Sequence, residues 1–359
     1  MAARPATSNA DTDLFPCEPK SWYWLSRPLR FILGWIYLLA FSFSFMIVPL
    51  ALIIFAMPAT WSFLGLHGAL MSLFFLFGLA MVPLREWVWA RTWGELWFEI
   101  FQVSTNMSPA QIQSFCEGDT NGNHYVICMH PHGIVPFQGL LWAAFCNLYL
   151  KDGNGHSIYG FGAVADVVLM LPVLRSLMGF LACSGAGYAA LYLGLAEGRC
   201  TAANAAGRRP KHLFILPGGI AEVFVSTPGE HKIVFRKRYG LVKLAIETGS
   251  SLIPCYVFGG TDFFHNLITA DNLLAKWSRK LRVTFTIFYG RWGLPIPFTP
   301  RVTMVFADPL PVTKWNPQDG PIPKKLIEDL HEQYETAIKD VFDRYKVVAG
   351  YPGVELQIV

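Results

Sequence analysis

The sequence predicts a mixed α/β domain with a largely parallel sheet, preceded by a helical hairpin in a membrane. Three observations carry this expectation. Strand-length apolar runs alternate with helix-length segments through the second half of the chain, the pattern of βαβ units. No charged residue occurs from position 31 to 84, and about 20 apolar residues suffice for a helix to cross the hydrocarbon core. Hydrophobic residues make up 53% of the chain and charged residues 15%, below the roughly one quarter usual in soluble proteins.

Residues 1–20 are small, polar and proline-containing, and are expected to form a disordered cytosolic N-terminus. They lack the apolar core of a cleaved signal peptide. Residues 21–90 are expected to form the hairpin, with helices at about 31–56 and 61–84 and a break at Met57-Pro58-Ala59-Thr60. Lys20, Arg27 and Arg30 precede the apolar run, and Arg85 and Arg91 follow it. The positive-inside rule then puts both ends in the cytosol, which a hairpin satisfies and a single pass does not. A re-entrant hairpin is the main rival. Trp22, Tyr23 and Trp24 before the run, and Trp87, Trp89 and Trp93 after it, are expected as interfacial anchors. Asn106-Met107-Ser108 matches the glycosylation pattern but falls on the cytosolic side, where it would be unused.

Residues 91–359 are expected to be one cytosolic, membrane-associated domain. Its strands are predicted over 125–129, 157–164, 212–217, 252–258, 284–289 and 302–307. Its helices are predicted over 134–150, 166–178, 188–205, 235–248 and 323–345. The first helix is almost free of polar residues, Gln138 and Asn147 excepted, and is expected in the core or at the membrane surface. The last is amphipathic, with Leu326, Leu330, Tyr334, Ile338, Val341 and Tyr345 on one stripe. The seven cysteines are scattered, odd in number and mostly inside apolar runs, which argues against a disulfide framework or a zinc site. The net charge of +4 suits an anionic ligand or a lipid surface; no block is dense enough to argue for nucleic acid.

The stretch with the strongest chemistry is His130-Pro131-His132-Gly133, at the end of the strand 125–129. It puts two imidazoles where open α/β sheets place their sites, beyond the carboxyl ends of the strands. Either could be a general base, because histidine titrates near pH ~6.5. His-x-His is also a metal pair, with His124 as a third ligand, and a histidine pair that only bonds to backbone is the plainer alternative. Downstream, Gly218 and Gly219 follow a strand and could form an anion nest for a phosphate or an oxyanion, with Glu222 just beyond to orient a histidine. Arg236, Lys237, Arg238 and Lys243 form the densest basic cluster of the soluble part, at a helix start, and would suit a phosphorylated cofactor. Arg208-Arg209-Pro210-Lys211 reads as a solvated loop. Asp166 and Asp262 are further carboxylates that could orient an imidazole. There is no Gly-x-Ser-x-Gly elbow and no Walker loop, and Gly185-x-Gly187 lacks the third glycine of a dinucleotide fingerprint.

Taken together, these blocks resemble the type 2 acyl-CoA:diacylglycerol acyltransferase family, which includes monoacylglycerol and wax-alcohol acyltransferases. The resemblance covers most of 85–350. It runs through His130-Pro131-His132-Gly133, Pro172-Val173-Leu174-Arg175, Gly218-Gly219-Ile220-Ala221-Glu222 and Arg238-Tyr239-Gly240-Leu241-Val242-Lys243, then Tyr289-Gly290-Arg291 and Val302 to Leu310. The block from Tyr289 to Pro297 is similar to plant and algal members.

The resemblance implies a glycerolipid-acyltransferase-like fold, anchored in the endoplasmic reticulum by the hairpin with both termini cytosolic and with access to lipid droplets. It implies transfer of a fatty acyl group from acyl-CoA, a co-substrate and not a cofactor, to diacylglycerol. No metal and no further cofactor are implied, and the chain is compatible with a homo-oligomer. His132 is then the favoured base, with His130 and Glu222 as the other catalytic residues, Gly218 and Gly219 as the nest, and Arg236, Lys237, Arg238 and Lys243 as the coenzyme A contacts. Three departures from the pattern stand out. Trp93-Gly94-Glu95-Leu96-Trp97 occupies the place of the usual Tyr-Phe-Pro block. Gly260 replaces the acid usual after Phe-Gly. Val135 and Phe137 stand where wider glycerolipid acyltransferases carry an aspartate five residues after a histidine, which makes Glu222 the first choice to orient His132. The alternatives are the same chemistry on monoacylglycerol, a long-chain alcohol or a sterol, a non-catalytic lipid-droplet protein, and a metal-dependent hydrolase using His124, His130 and His132.

Overall fold

The computed structural model describes residues 14–56, 65, 68, 84–171, 173–281, 284 and 286–359, with the backbone alone over 45–56. The strands are β1 (Phe15–Pro16), β2 (Ser104–Thr105), β3 (Tyr125–His130), β4 (Phe161–Val164), β5 (Cys183–Gly185) and β6 (Leu213–Ile215). They continue with β7 (Lys232–Ile233), β8 (Ser251–Phe258), β9 (His265–Asn266), β10 (Phe288–Tyr289), β11 (Thr303–Phe306) and β12 (Gln357–Ile358). Eight of them make one sheet in the order β1-β2-β11-β8-β3-β6-β4-β5. From β8 to β5 every pairing is parallel, and β11 runs antiparallel to β8. The mixed, largely parallel architecture expected from the alternating pattern is therefore present.

The centre of the sheet explains its sequence. β3 lies between β8 and β6 and every residue in it is buried. Parallel strands covered on both faces lose the polar-apolar alternation and read as continuous apolar runs, as Tyr125 to Met129 does. Each such side chain contributes about 1.5–3 kcal/mol by leaving water. The helix Lys324–Tyr345 packs most of its predicted stripe on this sheet, with Leu330, Tyr334, Ile338, Val341 and Tyr345 buried and Leu326 exposed. The helix Phe137–Tyr149 covers it elsewhere and is buried almost throughout. It is a core helix and offers no lipid-facing surface. It packs closely on Gly94, where a Cβ would lie 3.1 Å from the Cβ of Ala144.

Several elements differ from expectation. The predicted helix 188–205 is split into Tyr188–Glu197 and Thr201–Ala205, because Gly198 takes a left-handed conformation at φ 64° and ends the first. The segment 166–178 yields a short 3-10 turn (Val168–Met170) and a helix Leu174–Phe180. β5 is too short to register as an apolar run. The stretch 1–20 is not disordered throughout: β1 pairs with β2, and the amide of Cys17 donates to the carbonyl of Val103. Residues 1–13 lie outside the described residues.

The N-terminal apolar run shows a further difference. Residues Arg27–Ala56 form one helix of 30 residues, whose described half is docked on the domain. Leu38 and Phe41 are buried, Phe41 meets Trp97 and Phe137, and Tyr37 donates a hydrogen bond to the carbonyl of Ala90 at 3.1 Å. Arg30 forms a salt bridge with Glu99 at 2.6 Å. The expected domain boundary near residue 90 thus cuts through continuous packing. Trp22, expected at an interface, is buried, and its indole donates to the carbonyl of Thr92; Trp24, Trp87 and Trp89 are exposed. The second expected helix, about 61–84, lies outside the described residues apart from Gly65, Gly68 and Leu84. Among the residues whose side chains are described, no helix is long and apolar enough to cross a membrane.

Two polar stretches are structural. Arg208 does not belong to a solvated loop: it pairs with buried Glu86 at 2.7 Å and donates to the carbonyls of Tyr159 and Gly160. Asn106 of the glycosylation pattern is buried and makes two hydrogen bonds with the backbone of Phe306, so it presents no acceptor to a glycan.

Candidate active site

β3 ends at His130, which is fully buried, and the chain turns through Pro131, His132 and Gly133 above the carboxyl edge of the sheet. The turn needs glycine. Gly133 has φ 66°, and a Cβ there would sit 2.5 Å from the carbonyl oxygen of Gly260 in the loop after β8. Gln138, the polar exception in the apolar helix, clamps the turn from below by donating to the carbonyls of Pro131 and His132 at 2.5 and 2.8 Å.

Glu222 sits at the centre of the group. It lies on the helix Gly219–Val225, which follows β6, and it is 1% exposed. One carboxylate oxygen is 3.2 Å from Nδ1 of His130 and accepts from the amide of Val234 at 2.8 Å; the other accepts from the amide of His132 at 2.5 Å. Burial alone would raise its pKa. The hydrogen bond and charge of His130 and the two backbone amides outweigh that and hold it below the ordinary carboxylate value. Glu222 therefore orients the ring of His130 and the backbone of His132, and not the imidazole of His132, as the sequence suggested.

Gly218 makes room for this carboxylate, and the Gly219 amide is not left as a free donor. A Cβ on Gly218 would fall 1.9 Å from Cδ of Glu222, and the Gly219 amide is already bonded to the carbonyl of Leu216 at 3.2 Å. Gly218→Ala is accordingly expected to displace Glu222 and remove most activity while the remaining fold survives. The checks are acyl-transfer rate and circular dichroism on the same preparation.

The imidazole of His132 has a defined state. Its Nδ1 lies 2.9 Å from the carbonyl oxygen of Gly133. A carbonyl can only accept, so Nδ1 carries the proton and Nε2 presents a lone pair when the ring is neutral. Burial pushes its pKa below the ordinary histidine value, with the Gly133 carbonyl and Glu222 opposing in part. The ring is thus neutral and able to take a proton near neutral pH.

Other predicted residues fall elsewhere. His124 precedes β3 at the opposite end from His130, about 20 Å away along a strand of this length, so the three histidines cannot share one ion. Asp262 binds the Gly229 amide, the Thr261 hydroxyl and the Tyr351 hydroxyl, and does not orient either histidine. Asp166 is exposed, against Gly185 at the ends of β4 and β5. Arg236, Lys237 and Arg238 lie before the helix Tyr239–Thr248 and not in its first turn; all three are exposed. Arg238 reaches the site by donating to the carbonyl of Gly218 at 3.1 Å. Lys243 faces Glu247 at 3.6 Å. Sequence reasoning missed Tyr334, whose hydroxyl is 3.0 Å from Nε2 of His130. Its only signal was a hydroxyl in a mostly apolar stripe, which it shares with Tyr345.

Comparisons with known proteins give the family. The diacylglycerol acyltransferase family profile matches residues 52–358, and the chain belongs to that family of acyltransferases. It is 26% identical to human diacylglycerol O-acyltransferase 2-like protein 6 over 76% of this chain and 79% of the relative. It is 28% identical to human diacylglycerol O-acyltransferase 2 over 76% of this chain and 68% of the relative. It is 31% identical to human 2-acylglycerol O-acyltransferase 3 over 64% of this chain and 67% of the relative.

Proposed function

We propose that this protein transfers a fatty acyl group from acyl-CoA to the free hydroxyl of diacylglycerol, giving triacylglycerol and coenzyme A, with His132 as general base. The observation that carries the reading is the part-buried His132 ring, its Nδ1 proton held by the Gly133 carbonyl and its Nε2 lone pair left to act. Nε2 accepts the hydroxyl proton as the alcohol oxygen bonds to the thioester carbon. The carbon–sulfur bond then breaks, and the imidazolium returns the proton to the departing thiolate. A positioned base of this kind contributes about 10²–10⁴ in rate. No cofactor is required, because the thioester is already activated.

Arg236, Lys237 and Arg238 are exposed, Arg238 reaches Gly218, and the three suit the phosphates of coenzyme A. Arg236→Ala with Lys237→Ala is expected to raise KM for acyl-CoA several-fold with kcat little changed, read from initial rates. In this reading the N-terminal run is a hairpin in the endoplasmic-reticulum membrane with both termini cytosolic, and the enzyme can reach lipid droplets. A lipid surface as partner is supported by the helix Leu273–Leu281. Its Leu273, Leu274, Trp277 and Leu281 are exposed among Lys276, Arg279 and Lys280, while only small Ala275 and Ser278 face the protein.

The reaction is tested in membranes from cells that lack neutral-lipid synthesis, supplied with labelled acyl-CoA and a panel of acceptors. Labelled triacylglycerol from diacylglycerol is expected. Exclusive labelling of monoacylglycerol products or wax esters would move the assignment to those acceptors, and no labelled ester at all would remove it.

A further inference from the structure

We infer that Tyr334 is a positioning residue for acyl transfer, acting on His132 through His130 and Glu222. The inference rests on the reading of His132 as the base. Four groups form one continuous chain of hydrogen bonds. The Tyr334 hydroxyl meets Nε2 of His130 at 3.0 Å, and Nδ1 of His130 meets one oxygen of Glu222 at 3.2 Å. The other oxygen of Glu222 holds the amide of His132 at 2.5 Å. Tyr334 and His130 are both 0% exposed, and Glu222 is 1% exposed. None of the three can meet substrate directly, whereas His132 is only part-buried.

An imidazole bonded at both nitrogens is fixed in translation and in rotation about its own plane. Removing the hydroxyl frees one end, in a place where water cannot substitute. Glu222 loses its fixed neighbour, and the His132 amide, bonded to the same carboxylate, is free to move with it. Small displacements of a reacting group carry large rate costs.

The hydroxyl itself calls for such a role. Leu330, Ile338 and Val341 fill the same helix stripe with hydrocarbon, and a hydroxyl in a site without solvent is unfavourable unless bonded. The tyrosine ring is held in turn by Phe235, stacked at 4.2 Å between centroids. Phe235 also stacks on His331 at 4.7 Å, and the His331 Nε2 lies 3.1 Å from the Phe235 carbonyl oxygen. The C-terminal helix thereby presents a rigid phenol to the back of the histidine pair.

Tyr334→Phe keeps the ring and removes only the hydroxyl, with its bond to His130 and its contact with the Cys128 thiol. In the full-length enzyme, assayed with labelled acyl-CoA and diacylglycerol, kcat is expected to fall about tenfold or more, with KM for acyl-CoA within about twofold. Tyr345→Phe, a change of the same chemistry on the same helix, is expected to retain wild-type kcat. Adding Tyr334→Phe to Glu222→Gln is expected to cost little beyond Glu222→Gln alone, because that substitution already breaks the chain. Wild-type kcat in Tyr334→Phe, or losses that multiply in the double variant, would overturn the role. His132→Ala separates the two readings. If it stays active, the base assignment falls and this inference with it. If it is inactive while Tyr334→Phe is fully active, this inference alone falls.

Discussion

Replacing His132 by alanine is expected to abolish acyl transfer while leaving expression and thermal stability near those of the parent. The side chain is only part-buried and, among the described residues, its ring bonds only the Gly133 carbonyl next to it, so little of the fold depends on it. The rate loss should reach the ~10²–10⁴ typical of a lost general base. Near-normal turnover would remove the assignment. The pH profile gives an independent check. Burial lowers the His132 pKa from 6.5, so the neutral base is already the main form at pH 7. The rate is therefore expected to be flat through neutrality and to fall only as pH drops through a value below 6.5. A limb above 7 would contradict the environment of the ring.

Glu222→Ala is expected to have the second largest effect, and a different one. It removes an acceptor used by His130 and by the amides of Val234 and His132, leaving buried donors unpaired at about 1–3 kcal/mol each. Activity and stability should fall together, with a drop in Tm. Glu222→Gln keeps the volume and one carbonyl oxygen, and should fold better than the alanine variant while remaining slow. The carboxylate pKa is lowered in the fold from 4.5, so its contribution is fully present above pH 4.5 and is lost as pH falls through the folded value. The wild-type enzyme should therefore lose stability in acid more steeply than Glu222→Gln. Parallel acid denaturation curves would argue that the group is not ionised in the fold.

These effects depend on a carboxylate 90 positions away from the amide it holds, and that separation marks what the sequence could and could not show. The parallel sheet was legible because strands buried on both faces must be apolar throughout, and Tyr125 to Met129 satisfies that. The final helix was legible because one face of a 3.6-residue period is dry. His130-Pro131-His132-Gly133 was legible because two imidazoles beside a proline and a glycine are rarely needed for packing alone. Glu222 was legible only as a carboxylate near a glycine pair.

Which atom that carboxylate would meet was not legible. It depends on how far the turn after β6 approaches the turn after β3, and Gly218 sets that distance by lacking a side chain. The same holds for Arg238, which the fold alone brings to the carbonyl of Gly218. Tyr334 was legible as core and illegible as a partner, because helical periodicity reports which face is buried and not what the buried hydroxyl touches. Local pattern thus determined the central strands, the last helix and the place of the histidine pair. The tertiary structure decided which of the pair is buried and which is only part-buried, because buried hydrogen bonds must be matched between segments that only the completed fold brings together.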